Sequence, residues 1–275
     1  MTLPNFLVIG AAKGGTTSLY QYLRQHPDIF MSPMKEPNYF TDEDQLFGKK
    51  SVRSRSEYEQ LFAAVNGEHA IGEATPRSLN AITGVGRIHA ELPNVRLIAT
   101  LRQPAERGYS AYLQRFTDSR ERLSADEVLQ PGNYQFEAGR YHAKLRRYFD
   151  TFPRDRIKVI LFDDLIARPQ EIVRSLYSFL GVDPDFAVDT SIRFNRTLFP
   201  RFVRLTRLFN ATAASVARIA PWASATGLGT PLRRLLLRKP DPIPPLLRRR
   251  LTDQYRDDII ATGELIERDL SHWLT

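Results

Sequence analysis

Cysteine is absent from all 275 residues. That excludes a disulfide framework, a thiolate metal site and a cysteine nucleophile, and it is consistent with a reducing compartment. Long apolar runs are missing as well. Nothing approaches the roughly 18–20 residues a bilayer span needs, and the N-terminus has no basic region leading into a secretory apolar stretch. The expectation is a soluble, cytoplasmic chain with no transmembrane segment, for which only peripheral membrane contact stays open. Histidine is scarce, with five at positions 26, 69, 89, 142 and 272. They form no H-x-x-x-H or comparable ligand pattern, so no metal is expected. There is no internal repeat and no convincing second core, which favours a single domain over 1–275.

What is present is ordinary globular material, 42% hydrophobic and 25% charged. The charge is unevenly placed. Residues 193–250 hold thirteen basic residues against one acidic residue, Asp241, so this stretch carries +12 within a chain of net +8. The remainder is therefore slightly acidic. Such local basicity suits an acidic ligand, an acidic polymer or an anionic surface, and it equally suits a solvated face. Because it is confined to one segment, it argues against nucleic acid as the partner.

Apolar Phe6-Leu7-Val8-Ile9 reads as a buried strand that stops at Gly10. A glycine-rich loop follows, then Leu19, Tyr20, Tyr22 and Leu23 at helical spacing, ending before His26-Pro27, a helix terminus rather than a ligand pair. Further strands are expected at 70–72, 95–101 and 158–162, with Asp163-Asp164 opening a loop. Helices are expected around 105–116, 141–152 and 170–180, the last closed by Gly181. Residues 198–229 read as helical, 239–245 as extended because of their prolines, and about 246–270 as a final helix. Alternating strands and helices imply an α/β fold: a parallel sheet between two helical layers, with a helical C-terminal subregion.

A glycine turn entering a helix N-terminus presents backbone N–H groups and partial positive charge to an anion. The nucleotide-triphosphatase loop requires G-x-x-x-x-G-K-[ST]. Here Gly10 and Gly15 keep the outer spacing, but Thr16 stands in the lysine position and Lys13 precedes the glycine pair. The motif fits phosphate or sulfate while departing from the ATPase form.

Lys13-Gly14-Gly15-Thr16-Thr17-Ser18-Leu19 after an N-terminal strand resembles the 5′-phosphosulfate loop of sulfotransferases that use 3′-phosphoadenosine 5′-phosphosulfate (PAPS). The resemblance is nearest to the branch containing glycosaminoglycan sulfotransferases and bacterial relatives, and it continues in order along the chain. Lys35-Glu36-Pro37-Asn38-Tyr39-Phe40 resembles the segment of the catalytic glutamate, and Gly72-Glu73-Ala74-Thr75-Pro76 the next active-site strand. Leu101-Arg102-Gln103-Pro104 through Tyr109-Ser110-Ala111-Tyr112 resembles the 3′-phosphate site, and Arg268-Asp269-Leu270-Ser271-His272-Trp273-Leu274 the usual ending. The resemblance implies a P-loop-like topology, PAPS as co-substrate and PAP as product, and a small-molecule or glycan acceptor.

Sulfuryl transfer asks the protein to position reactants and neutralise charge. Lys13 is the candidate cation at the leaving phosphate, with donors from Gly14, Gly15, Thr16, Thr17 and Ser18. The resemblance makes Glu36 the acceptor base beside Lys35, with Glu73 the second carboxylate for that task. It makes Arg102 and Ser110 the 3′-phosphate ligands, the guanidinium fork supplying two donors. Arg233, Arg234, Arg238 and Lys239 are candidates for a loop returning to the nucleotide. Glycosaminoglycan members often carry lysine after the second glutamate, where this chain has Ala74, which weakens transfer of a heparan-type acceptor. Two other readings stay open: a degenerate P-loop kinase or NTPase, and an anionic-surface binder using Phe202, Leu205, Leu208 and Phe209 with Arg201, Arg204 and Arg207.

Overall fold

The computed structural model describes residues 2–42, 51–117, 121–191 and 240–275, and the backbone of 199–200 and 237–238. Its strands are β1 (Phe6–Gly10), β2 (Ile29–Met31), β3 (Ala70–Ala74), β4 (Arg96–Leu101) and β5 (Ile157–Leu161). Its helices are α1 (Thr16–Leu23), α2 (Arg55–Gln60), α3 (Gly84–Glu91), α4 (Pro104–Thr117), α5 (Ala125–Val128), α6 (Tyr134–Glu137), α7 (His142–Thr151), α8 (Phe162–Ala167), α9 (Pro169–Leu180) and α10 (Pro245–Ile266). The five strands form one sheet in the order β2-β3-β1-β4-β5, and every pairing is parallel. A separate two-stranded antiparallel ladder pairs Phe199 with Arg238.

The central strand explains the layering. All five residues of β1 are buried, as a parallel strand covered on both faces requires. Phe6 and Val8 face one core with Leu19 and Leu23 of α1 and Val173, Leu176, Tyr177 and Leu180 of α9. Leu7 and Ile9 face the other core, where α3, α7 and α10 contribute Ile88, Leu145, Leu251 and Tyr255. The α9 stripe has the i, i+3, i+4, i+7 spacing of an amphipathic helix. Pro169 opens it one residue before the expected start, and Gly181 closes it at φ 79°, as the sequence predicts.

Two expectations change. Phe162 leaves the strand and opens α8, and Asp163-Asp164 form the first helical turn rather than a loop. Carboxylates are favoured there by the helix dipole. The C-terminal helix stops at Ile266: Glu267 turns left-handed at φ 55° and the Arg268 N–H bonds back to the Gly263 carbonyl. This reversal returns Trp273 to the core, where it is 1% exposed. Strand β2 and helices α2, α3, α5 and α6 are not anticipated at all, and the three residues of β2 are too few to show a period. The helix expected over 198–229, the basic amphipathic pattern from Arg201 to Phe209, and the side chains of Arg233, Arg234, Arg238 and Lys239 lie outside the described residues.

Candidate active site

Neighbouring strands β1 and β4 send their following connections in opposite directions along the sheet, toward β2 and toward β5. In open α/β sheets ligands bind in the crevice at such a reversal, beyond the carboxyl ends of the strands. The Lys13–Ser18 loop and Arg102 stand at those two ends.

The loop is pinned to β4. The Ala11 N–H donates to the Thr100 carbonyl at 2.7 Å, and the Thr100 hydroxyl donates to the Gly14 carbonyl at 2.6 Å. A β-carbon on Gly14 would lie 2.5 Å from the Thr100 carbonyl oxygen, so glycine is required for this approach. Gly15 is the N-cap of α1, left-handed at φ 92°, and contributes no capping side chain. The first turn of α1 contains no acidic residue. This donor set suits a phosphate or sulfate group: backbone N–H groups, the hydroxyls of Thr16, Thr17 and Ser18, and the Lys13 ammonium.

Lys13 holds a left-handed backbone at φ 72°, and its ammonium donates to Gln114 Oε1 at 3.2 Å. Gln114 lies one turn after Ser110 on α4, so both belong to one face of that helix. The loop lysine and Ser110, which is 6% exposed, are thereby brought to the same helix. Arg102 is mostly buried, and desolvation lowers its pKa. Its guanidinium meets Glu106 at 3.4 Å and lies over the Phe162 ring, 4.9 Å from the centroid. The Tyr141 hydroxyl donates to the Arg102 carbonyl at 2.8 Å. Arg248 reaches the other oxygen of Glu106 at 3.6 Å.

The two glutamates differ in environment. Glu73 is 2% exposed. Burial pushes its pKa up to about 7, against the lowering effects of the Thr75 hydrogen bond and of Lys35. Thr75 donates to Glu73 Oε2 at 2.7 Å. Glu36 is partly exposed and ion-paired with Lys35 at 3.0 Å. The Glu36 N–H bonds to the Ala74 carbonyl at 3.1 Å, which ties its loop to the end of β3. Glu36 and Asn38 are left-handed at φ 61° and 58°, and the Asn38 side chain bonds the Glu36 carbonyl at 2.7 Å. With Lys13, three of the four non-glycine residues at positive φ among the described residues sit in loops of the site, where backbone strain tends to collect.

Sequence reasoning did not find Gln114, Tyr141 or Phe162 as members of this region, and it placed Thr75 in the active-site strand without giving it a role. Two of them had a readable signal: Thr75 shares a strand face with Glu73 two residues before it, and Gln114 follows Ser110 by one helical turn. Tyr141 and Phe162 come from distant parts of the chain and carried none. The Asp163-Asp164 pair is engaged structurally. Asp163 accepts from the Trp273 indole at 2.9 Å, and Asp164 meets Arg268 at 2.8 Å and Arg168 at 3.0 Å.

Similarity to known proteins converges on one family. Residues 58–186 match the family model described as "Sulfotransferase family". The crystal structure of a sulfotransferase from Alicyclobacillus acidocaldarius is similar over the full length of both chains, at 31% identity and a TM-score of 0.77. The membrane-associated sulfotransferase kil1 of Dictyostelium discoideum is 36% identical over 112 residues, which are 41% of this chain and 23% of that protein. Heparan sulfate glucosamine 3-O-sulfotransferase 5 of Homo sapiens is 26% identical over 237 residues, covering 80% of this chain and 65% of that protein. The chain thus spans about a quarter of the length of the Dictyostelium protein. A parallel sheet in this strand order, a glycine loop at its central strand and full-length likeness to a bacterial relative lead to one assignment: the chain belongs to the sulfotransferase family.

Proposed function

We propose that this sulfotransferase moves a sulfuryl group from PAPS to a hydroxyl or amine of a small-molecule or glycan acceptor. The observation that carries the reading is the juxtaposition, at the ends of adjacent strands, of the Lys13–Ser18 loop and Arg102, the loop being bonded to β4 two residues before that arginine. A ligand with anionic groups at both ends of a nucleoside fits such a pair of sites. Thr16 in place of the helix-start lysine speaks against the kinase or NTPase reading. Resemblance to heparan sulfate enzymes supports a glycan acceptor, while Ala74 after Glu73 argues for one unlike heparan.

PAPS, when bound, supplies the activated sulfuryl group and a phosphate leaving group. The chain's part is to hold and to neutralise. Lys13 places a positive charge at the bridging oxygen as negative charge develops there. N–H groups of Gly14 and Gly15 and the hydroxyls of Thr16, Thr17 and Ser18 grip the 5′ end. Arg102 and Ser110 grip the 3′-phosphate. Glu36 takes the acceptor proton, since its carboxylate is the partly exposed one, and its ion pair with Lys35 fixes where that carboxylate stands. Glu73, enclosed and bonded to Thr75, orients the Lys35–Glu36 pair rather than meeting the acceptor.

Thermal melts test the donor. PAP should raise the melting temperature more than ATP does, without magnesium. Equal shifts, or a shift that depends on magnesium, would refute the reading. Radiolabelled PAPS screened against sugars, lipids and small alcohols and amines would identify the acceptor.

A further inference from the structure

Phe162 belongs to no part of the chemistry above, and neither core contains it. It is half-buried at the carboxyl end of β5, where its ring touches both halves of the nucleotide crevice. One ring edge packs on the phosphosulfate loop: a β-carbon built on Gly15 would lie 2.9 Å from Phe162 Cδ2. The ring face carries the Arg102 guanidinium at 4.9 Å. We infer that Phe162 is a positioning residue that sets the Arg102 guanidinium at a fixed distance from the phosphosulfate loop, and so sets the selectivity for a nucleotide with a 3′-phosphate.

Geometry gives three reasons. A guanidinium over an aromatic face is attracted electrostatically while its edge N–H groups stay directed outward, toward an anion. Two further contacts steady the arginine: Glu106 at its edge and Tyr141 at its carbonyl. The ring itself is backed, because the next residue, Asp163, accepts from the Trp273 indole, and Trp273 is buried. Gly15 is the complementary half of the arrangement, since any side chain there would displace the ring.

The inference rests on the reading of Arg102 as the 3′-phosphate ligand, so the experiment separates the two. Calorimetry would compare PAP with adenosine 5′-phosphate, which lacks the 3′-phosphate, on the wild type, Phe162→Leu, Phe162→Tyr and Arg102→Ala. Phe162→Leu should weaken PAP roughly 3- to 10-fold, the range expected for losing a cation–π contact, and change adenosine 5′-phosphate less than 2-fold. Phe162→Tyr, which keeps the ring, should restore the wild-type ratio. Equal weakening of both ligands, an unchanged PAP affinity in Phe162→Leu, or no rescue by tyrosine would overturn the role of Phe162. If Arg102→Ala keeps the wild-type preference for PAP, the Arg102 reading falls first and this inference with it.

Discussion

At the scale of single residues, two glutamates on neighbouring segments differ in burial, and the proposed mechanism makes the more exposed one, Glu36, the base. Glu36→Gln should lower kcat by about 10²–10⁴-fold, the usual worth of a positioned base, and Glu73→Gln by clearly less. The reverse order in steady-state assays would move the base to Glu73. Glu73 also makes a stability prediction with a definite sign. Its folded pKa of about 7 exceeds the unfolded value near 4.5, so the native state holds a proton that the unfolded state releases between those limits. The contribution of Glu73 is full below pH 4.5 and is lost as pH rises to about 7. Glu73→Gln removes that loss. The variant should therefore gain on the wild type with rising pH, by on the order of 3 kcal/mol between pH 4.5 and 8 in urea titrations. A pH-independent difference would mean that Glu73 ionises normally.

At the scale of elements, the loop between β1 and α1 depends on a contact with β4 that tolerates no side chain. Gly14→Ala would drive a methyl group against the Thr100 carbonyl. A cost of about 1–3 kcal/mol in denaturant unfolding is expected, with PAP binding weakened in parallel. Much of this element structure was legible beforehand. Strands β1, β4 and β5 are apolar runs, α9 has a clean stripe closed by glycine, and the glycine-rich stretch after β1 marks the loop that leads into α1. What could not be read depends on contacts made only after folding. β2 is too short for a period, Phe162 has the character of a strand residue yet starts a helix, and the difference between Glu36 and Glu73 comes from which carboxylate the fold encloses. Tyr141 meets Arg102 across 39 residues of chain, a pairing that no local pattern encodes.

At the scale of the whole molecule, the final turn fastens the sheet end that bears the site. The Gln103 side chain, next to Arg102, donates to the Trp273 carbonyl at 3.1 Å and reaches the Thr252 hydroxyl of α10 at 3.3 Å. Arg268 and the Trp273 indole hold the first turn of α8. Removing residues 268–275 should therefore cost at least the roughly 3–5 kcal/mol of losing a buried tryptophan. PAP affinity should fall with it, read by urea unfolding and calorimetry. A truncated chain that binds PAP as tightly as the intact one would show that this fastening serves stability alone.

The left-handed backbones of Lys13, Glu36 and Asn38 have an evolutionary corollary. Glycine occupies such conformations without penalty, and a non-glycine residue pays of order 1 kcal/mol. Directed evolution that rewards heat resistance alone would be drawn to Lys13→Gly and Glu36→Gly, accumulating hardier clones that, under the proposed mechanism, no longer turn over. Any campaign to toughen this protein should keep catalysis in the screen from the first round.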